Sequence, residues 1–494
     1  MNIQDLCQAY PVLSLEGDTS HEVSNIVYDS RRARKGSLFV ALRGSRSDGH
    51  DYLEQVIRQG AVGVVVMDSQ LLLHKISVDK KHFQPAIVHV EDSRDALAFL
   101  ANRFYHEPSK RMKLICTTGV RGRHTLAGMI YQVWREHDQG VAYLNGMTLH
   151  TPEGKIYASR NHPETLEYQS QFAELADMGV RTALLPLSSN DIEMKRLAYT
   201  ELNAMLVMQA KDWETKQWQQ LAESSAHLIV NNDDVESELY MAKLRTSQKR
   251  RVFISFGIDR PADFRAVNLH IVKQGKRLGT KFTLEIHGQP SYEVFVGLPG
   301  RYHVLNSLAV LALTSVSALS LNRTIDCLAT ISIPGRTEPV ANDLGLEIII
   351  DTAWTAGQLE NLLTALRPYC KRRLLLVCGS GGDRDTQARI DLGRTAGKLA
   401  DYTYLTVTNE RSEGAASVIS DLEQGIKQST EAYETFNDRA EAVRTAVQVM
   451  QKGDILILTG KGAEAYQITA EQTLAYSDKD SVLAALEERS HKEG

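Results

Sequence analysis

Along the chain, short apolar runs alternate with longer stretches whose apolar residues recur at helical spacing. That alternation predicts an α/β protein built on parallel sheets with helices on their faces. Up to about Pro108, "SNIVYDSRRARKGSLFVAL" and "AVGVVVMD" read as short strands separated by Gly, Asp and Ser turns. "SRDALAFLANRFY" reads as a helix, and the proline and charges of "HEPSKRM" predict a linker after it. A second stretch opens with "KLICTTG" as a strand, followed by "RTALLPL", "AMLVMQA" and "AHLIVNN", with helices such as "LEYQSQFAELADMG" between them. "RVFISFG" and "KFTLEIHGQPSYEVFVGLPG" then read as an antiparallel insert before the helical "YHVLNSLAVLALTSVSAL". "ISIPGRTEPV" predicts a hinge, and beyond it "LEIIIDT", "RLLLVCG", "YTYLTVT" and "DILILTG" are spaced as the strands of another α/β unit. The last residues, "SDKDSVLAALEERSHKEG", predict an amphipathic helix with a frayed end.

Length turns these segments into domains. At 494 residues the chain exceeds what one core supports, since single cores stop growing near about 250–300 residues. The linker and the hinge place three domains at 1–108, 109–333 and 334–494. A formal net charge of −5 gives no electrostatic reason to expect nucleic acid as a partner. "MNIQDLCQAYPVL" lacks the basic and apolar regions of a secretory signal. No apolar run reaches the roughly 20 residues of a membrane span. Cys7, Cys116, Cys327, Cys370 and Cys378 show no CxxC spacing, which predicts reduced thiols in a cytoplasmic protein.

The candidate chemistry begins at "KLICTTGVRGRHTLAGMI", a strand, a glycine-containing loop and a helix. Successive N–H groups and a helix N-terminus in that order cradle an anion. Thr118, Gly119 and Gly122 keep the backbone part of a nucleotide-phosphate loop. Arg123 stands where a lysine would reach the phosphates, and His124 where a hydroxyl would ligate Mg²⁺. A guanidinium is a planar fork, bulkier than an ammonium, and imidazole lacks the hard oxygen that Mg²⁺ prefers.

The motifs "YDSRRARKGSLFVALRGSRSDGHDYL", "LPGRYHVLNSLAVLAL", "PGRTEPV", "IIIDTAWTAGQLENLLTALRP", "VCGSGGDRD", "TNERSEG" and "GKGAEAYQ" follow one another in this order. Together they resemble the Mur ligase family, over nearly the whole chain, and most closely its branch that adds the third amino acid of the peptidoglycan stem. The resemblance implies an N-terminal UDP-binding α/β domain, a central P-loop-type ATPase domain with a parallel sheet and a C-terminal Rossmann-like domain. It also implies that ATP phosphorylates a substrate carboxylate and that an amino-acid amine then displaces the phosphate. Ser30 and His50 match family positions that touch UDP, and Ser188 and Arg196 match positions around the muramoyl-peptide. Asn306, Arg336 and Asp351 match positions that touch adenine, phosphate or ribose. Arg384, Asn409, Arg411, Gly460 and Glu464 match contacts of the amino-acid pocket.

Departures from the family pattern gather where it handles ATP and metal. The degenerate catalytic positions are Arg123 and His124. The family's metal-binding Glu is Pro186, a His that helps hold the second metal is Trp213 beside a retained Asp212, and "WQQLAESSAHLI" lacks the lysine that the family carboxylates. Trp354 replaces another His, and Asn161 and His162 precede Pro163 where the family has paired threonines. Trp213 and Trp354 read as packing residues that fill the vacated space. In the amino-acid pocket, Thr408, Glu410 and Ala463 replace Asp, Pro and His. Two hard cations need oxygen-rich cages that Pro and Trp cannot build, so no metal site is expected. The expected function is a ligase homologue with impaired or absent catalysis that keeps ligand or partner binding, the partner being an active ligase or another protein of the pathway. The alternative is an active ATP-dependent acid–amino acid ligase acting on a UDP-muramoyl-peptide-like carboxylate, with ATP and Mg²⁺ as its requirements. A scaffold without a small ligand is the third class.

Overall fold

The computed structural model describes residues 1–494 except 45–46, 68–84, 120–121, 138–139, 146–147, 153, 158–162, 211–212, 248–251, 276 and 494. It divides into two compact units, 1–264 with 309–319, and 265–308 with 320–494.

The first unit opens with a five-stranded sheet made of β1 (Ser14–Glu16), β2 (Asn25–Val27), β3 (Ser37–Val40), β4 (Gly63–Val66) and β5 (Ala86–His89). Their order is β1-β5-β4-β3-β2, parallel except for β1. Both faces are covered. Leu38 and Val40 of β3 enter one apolar cluster and Phe39 enters the other, the two-residue alternation of a strand. Asp92 caps the helix Ser93–Phe104, its Oδ1 accepting from Arg94 N at 2.8 Å and Asp95 N at 3.2 Å. The expected linker is in fact packed: Pro108–Lys110 forms a 3₁₀ turn with Pro108 and Ser109 buried.

The second sheet of this unit contains β6 (Lys113–Thr118), β7 (Val141–Leu144), β8 (Thr148–Thr151), β9 (Gly154–Tyr157), β10 (Thr182–Leu187), β11 (Leu202–Val207), β12 (Ser225–Asn231) and β13 (Val252–Gly257). The order β13-β12-β11-β6-β10-β7 is parallel, and β8 and β9 add an antiparallel hairpin. "RVFISFG", expected in an antiparallel insert, joins the parallel strands on one side. It is β13, which pairs in parallel with β12 and buries Ile254 and Phe256. Pro186 lies beyond the last β10–β7 partners, Leu184 and Tyr143, so β10 there has β6 as its paired neighbour. A residue without an N–H is tolerated at such a free side.

The second unit begins with β14 (Phe264–Gln274, from Arg265 onward), β15 (Arg277–Ile286) and β16 (Tyr292–Val296), the last two an antiparallel hairpin. Its main sheet comprises β17 (Glu338–Pro339), β18 (Glu347–Ile350), β19 (Leu374–Gly381), β20 (Tyr402–Asn409), β21 (Tyr433–Thr435) and β22 (Ile455–Leu458), in the order β17-β18-β22-β19-β20-β21. All but β17 run parallel. A separate hairpin, β23 (Tyr466–Ile468) and β24 (Thr473–Ala475), follows. The predicted C-terminal helix forms at Asp478–Glu493 and is anchored at its first residue. There Asp478 and Arg439, both fully buried, pair through Nε–Oδ1 and Nη2–Oδ2 contacts of 2.7 Å.

Candidate functional site

In the first unit, β6 delivers Thr118, 1% exposed, to Gly119 at φ 140°. The helix Arg123–Glu136 starts after Gly122 at φ 82°, with no side chain capping its N-terminus. Both glycines hold left-handed backbone that other residues rarely adopt. Arg123 turns back on its own loop, donating from Nη1 to the Gly119 carbonyl at 3.2 Å. The Thr117 hydroxyl bonds the Arg123 carbonyl at 2.9 Å. The Arg123 Nε is buried without a partner, and burial pulls its pKa below the usual arginine range despite Asp191 nearby. The Tyr143 hydroxyl donates to the His124 carbonyl at 3.3 Å.

Pro186 offers no side-chain oxygen to a hard cation, and Asp191 is already bonded to Arg196 and Ser188. Trp213 packs against Tyr240 at 5.1 Å between ring centroids, and the Lys243 ammonium lies over the Trp213 ring, 5.1 Å from its centroid. Asp212, Asn161 and His162 lie outside the described residues. No group of three or more potential His, Cys, Asp or Glu ligands occurs among the described residues. Among the described positions carried over from the family's metal ligands, Pro186 and Trp213 offer no side-chain oxygen to a magnesium ion.

The nucleotide-sugar candidates of the same unit are held by internal bonds. Ser30 is buried at the start of a 3₁₀ turn capped by Asp29. His50 is 1% exposed and uses both ring nitrogens, Nδ1 at 2.6 Å from Asp48 and Nε2 accepting from Met67 N at 3.1 Å. These contacts assign the proton to Nδ1. Ser188 caps the helix Ser189–Glu193 through a box with Asp191, and Arg196 is buried against Asp191 and Glu164.

In the second unit the loops after β18, β22, β19 and β20 lie at the carboxyl ends of adjacent parallel strands, where α/β sheets bind ligands. Asp351 follows β18. Its Oδ2 accepts from Thr337 N at 2.8 Å and its Oδ1 from Ala353 N at 2.8 Å. Burial raises the Asp351 pKa, opposed by Arg336 and these bonds. Thr337 also meets the Tyr302 hydroxyl at 3.2 Å and His303 Nε2 at 3.3 Å. His303 is fully buried, and desolvation, aided by Arg336, depresses its pKa to about 3. One turn along the same helix, Asn306 is 1% exposed and has no partner for its Oδ1 or Nδ2. A buried carboxamide without partners is costly and fits a ligand that supplies a donor and an acceptor together, as an adenine edge does.

The hinge closes on the "GKGAE" loop. A Cβ at Gly335 (φ 67°) would sit 2.1 Å from Ala463 N, and one at Gly462 would sit 2.9 Å from the Gly335 carbonyl. Between Gly460 and Gly462, Lys461 is 1% exposed. Its ammonium donates to the carbonyls of Tyr466 at 2.6 Å and Thr408 at 3.2 Å, and to Asn409 Oδ1 and Glu464 Oε2 at 3.4 Å. Desolvation lowers its pKa. Asn409 Nδ2 in turn donates to Glu464 Oε2 at 3.0 Å. Three predicted residues, Asn409, Gly460 and Glu464, are thus brought together by a lysine that motif matching did not single out, although its two flanking glycines mark it.

Arg384 and Arg411 face the same strand ends. Arg384 is half-buried, and its pKa falls through desolvation and then the like charge of Arg411. Arg411 sits at φ 55°. Trp354 departs from expectation: it is 46% exposed rather than packed away, and the Arg384 guanidinium lies over its ring, 4.3 Å from the centroid. The loop after β18 ends on a helix capped by Thr355, which leaves the indole outside the core cluster.

Comparison with known proteins assigns the family. Residues 22–105 match the description "Mur ligase family, catalytic domain", 216–314 "Mur ligase middle domain" and 335–462 "Mur ligase, glutamate ligase domain". The chain is 31% identical over 485 residues, 96% of each chain, to the UDP-N-acetylmuramoyl-L-alanyl-D-glutamate–2,6-diaminopimelate ligase 1 of Clostridium acetobutylicum. It is 30% identical to the corresponding ligase of Caldanaerobacter subterraneus, over 96% of this chain and 97% of the other. A solved structure of a ligase of the same description superposes with a TM-score of 0.70 at 21% identity, covering 99% of both chains. MurF from Acinetobacter baumannii follows at 0.59 and 18%, covering 98% of both chains, a likeness of fold. No described helix is long and apolar enough to cross a membrane. The chain belongs to the Mur ligase family and has its three-domain α/β fold.

Proposed function

We propose that this chain is a ligand-holding Mur ligase homologue of the diaminopimelate-adding type whose ATP-driven acyl activation is impaired. The observation that carries this reading is Arg123, which spends a guanidinium N–H on the Gly119 carbonyl of its own phosphate loop. An arriving phosphate would have to displace it, without the metal donors that Pro186 and Trp213 do not supply. Candidate binding groups on the adenine and amino-acid sides remain: Asn306, whose carboxamide has no partner, with Arg336 and Asp351, and Arg384, Arg411, Asn409, Gly460 and Glu464. Ser30, His50, Ser188 and Arg196 would frame a UDP-muramoyl-peptide-like molecule, within domains at 1–108, 109–333 and 334–494. The setting is cytoplasmic, and an active ligase is a candidate partner.

A second reading is favoured by the comparisons themselves. The relatives are named as 2,6-diaminopimelate ligases and align with almost the entire chain. On that reading the chain is an active ATP-dependent acid–amino acid ligase with rebuilt phosphate handling by Arg123. Phosphate release from ATP–Mg²⁺, UDP-muramoyl-dipeptide and diaminopimelate separates the two. Turnover in the usual range of about 1–10³ s⁻¹ that is lost in Arg123→Ala establishes the second reading. Ligand binding without turnover establishes the first.

A further inference from the structure

We propose that Trp354 is a positioning residue for Arg384: its indole holds the guanidinium over one face, so that the N–H edge is kept for a planar carboxylate. The inference rests on the reading of the crevice as an amino-acid site and assigns a role to a residue outside the contacts carried over for it.

Trp354 is the exposed tryptophan of the chain at 46%, whereas Trp134 and Trp218 are 3% and 1% exposed and Trp213 packs on Tyr240. Core packing does not account for an indole left in solvent. What it does contact is Arg384, at 4.3 Å from the ring centroid, inside the range of a cation–aromatic attraction. The Trp354 backbone is tied to the helix that follows: its main-chain N–H donates to Gln358 Oε1 at 3.2 Å. Arg384 needs such support. It is half-buried beside the like charge of Arg411, which Glu464 opposes from a distance, and no carboxylate hydrogen-bonds it among the described contacts. An unsupported guanidinium so placed would swing toward water, away from Arg411. Held over an aromatic face, it keeps its coplanar N–H fork, the geometry that takes a carboxylate through two parallel bonds. Trp354 comes from the loop after β18 and Arg384 from the loop after β19, so the pair joins two strand ends of one sheet.

The test uses the full chain in two arms. Without ligand, acrylamide quenching of tryptophan emission reports the face of Trp354 that Arg384 covers. Arg384→Met should raise the quenching of the exposed component, and an unchanged value overturns the proposal. With ligand, calorimetric titration with meso-2,6-diaminopimelate should show binding about 2- to 5-fold weaker in Trp354→Leu. Trp354→Tyr, which retains an aromatic face, should restore it, with thermal midpoints unchanged in both variants. Equal affinity in wild type and Trp354→Leu overturns the role of Trp354 alone. Absence of binding to the wild-type chain overturns the amino-acid reading of the crevice, and the carboxylate role with it.

Discussion

Acid should loosen the hinge of the second unit through His303. The ring is fully buried, and its pKa is depressed to about 3 by desolvation first and Arg336 second. An unfolded histidine titrates near about 6.5. Between those values the unfolded chain binds a proton that the folded chain refuses, so stability falls as pH is lowered through this window and is unaffected above it. Each unit is worth about 1.4 kcal/mol, so the loss at pH 4.5 is about 2.7 kcal/mol. Asp351, whose pKa is raised by burial, works in the opposite sense and must be cancelled by comparison with a variant. His303→Gln keeps a polar group beside Thr337 and cannot titrate. Hydrogen exchange, followed by peptide mass over residues 301–308 and 335–353, gives local opening free energies at pH 4.5 and 7 in both proteins. The wild type should lose stability relative to the variant on acidification. Parallel pH profiles would refute the assignment of a neutral, buried His303.

Asp478→Asn should cost about 3–5 kcal/mol, because it leaves the Arg439 charge buried without a counterion; release of the C-terminal helix to limited proteolysis is the readout. Gly335→Ala should destabilise the hinge by more than about 2 kcal/mol, since φ 67° is left-handed and the new Cβ would meet Ala463 N at 2.1 Å; a lowered urea midpoint checks it. Lys461→Met should cost about 2–4 kcal/mol net, the lost bonds to Tyr466 and Thr408 being partly offset by relief of a desolvated ammonium. It should also weaken diaminopimelate binding, because Asn409 and Glu464 lose their common anchor.

The parallel strands were legible because two-sided burial writes them as continuous apolar runs: β19 is buried at every position, and so are β10 and β22. What escaped was written in other terms. β14 alternates exposed and half-buried residues over most of its length, and β21 and β23 are partly exposed, so neither gives an apolar run. The parallel pairing of "RVFISFG" with β12 was not legible, because an apolar run fits an antiparallel or a parallel neighbour equally well and the partner is fixed only in three dimensions. Motif order revealed the family and the glycines of the phosphate loop. It could not reveal that Arg123 folds onto Gly119, that Lys461 ties Asn409 to Glu464, or that Arg384 lies over the Trp354 ring. Those are facts of side-chain direction, which spacing along a chain does not specify.

The phosphate loop decides the account, and binding of ATP–Mg²⁺ to the full chain, followed by calorimetry with phosphate release read on the same samples, tests it directly. With Arg123 seated on its own loop and the metal donors replaced, the account predicts no magnesium-dependent gain in ATP affinity and no phosphate release with diaminopimelate and UDP-muramoyl-dipeptide present. Tighter ATP binding with Mg²⁺, accompanied by stoichiometric phosphate and a new amide product, would contradict it.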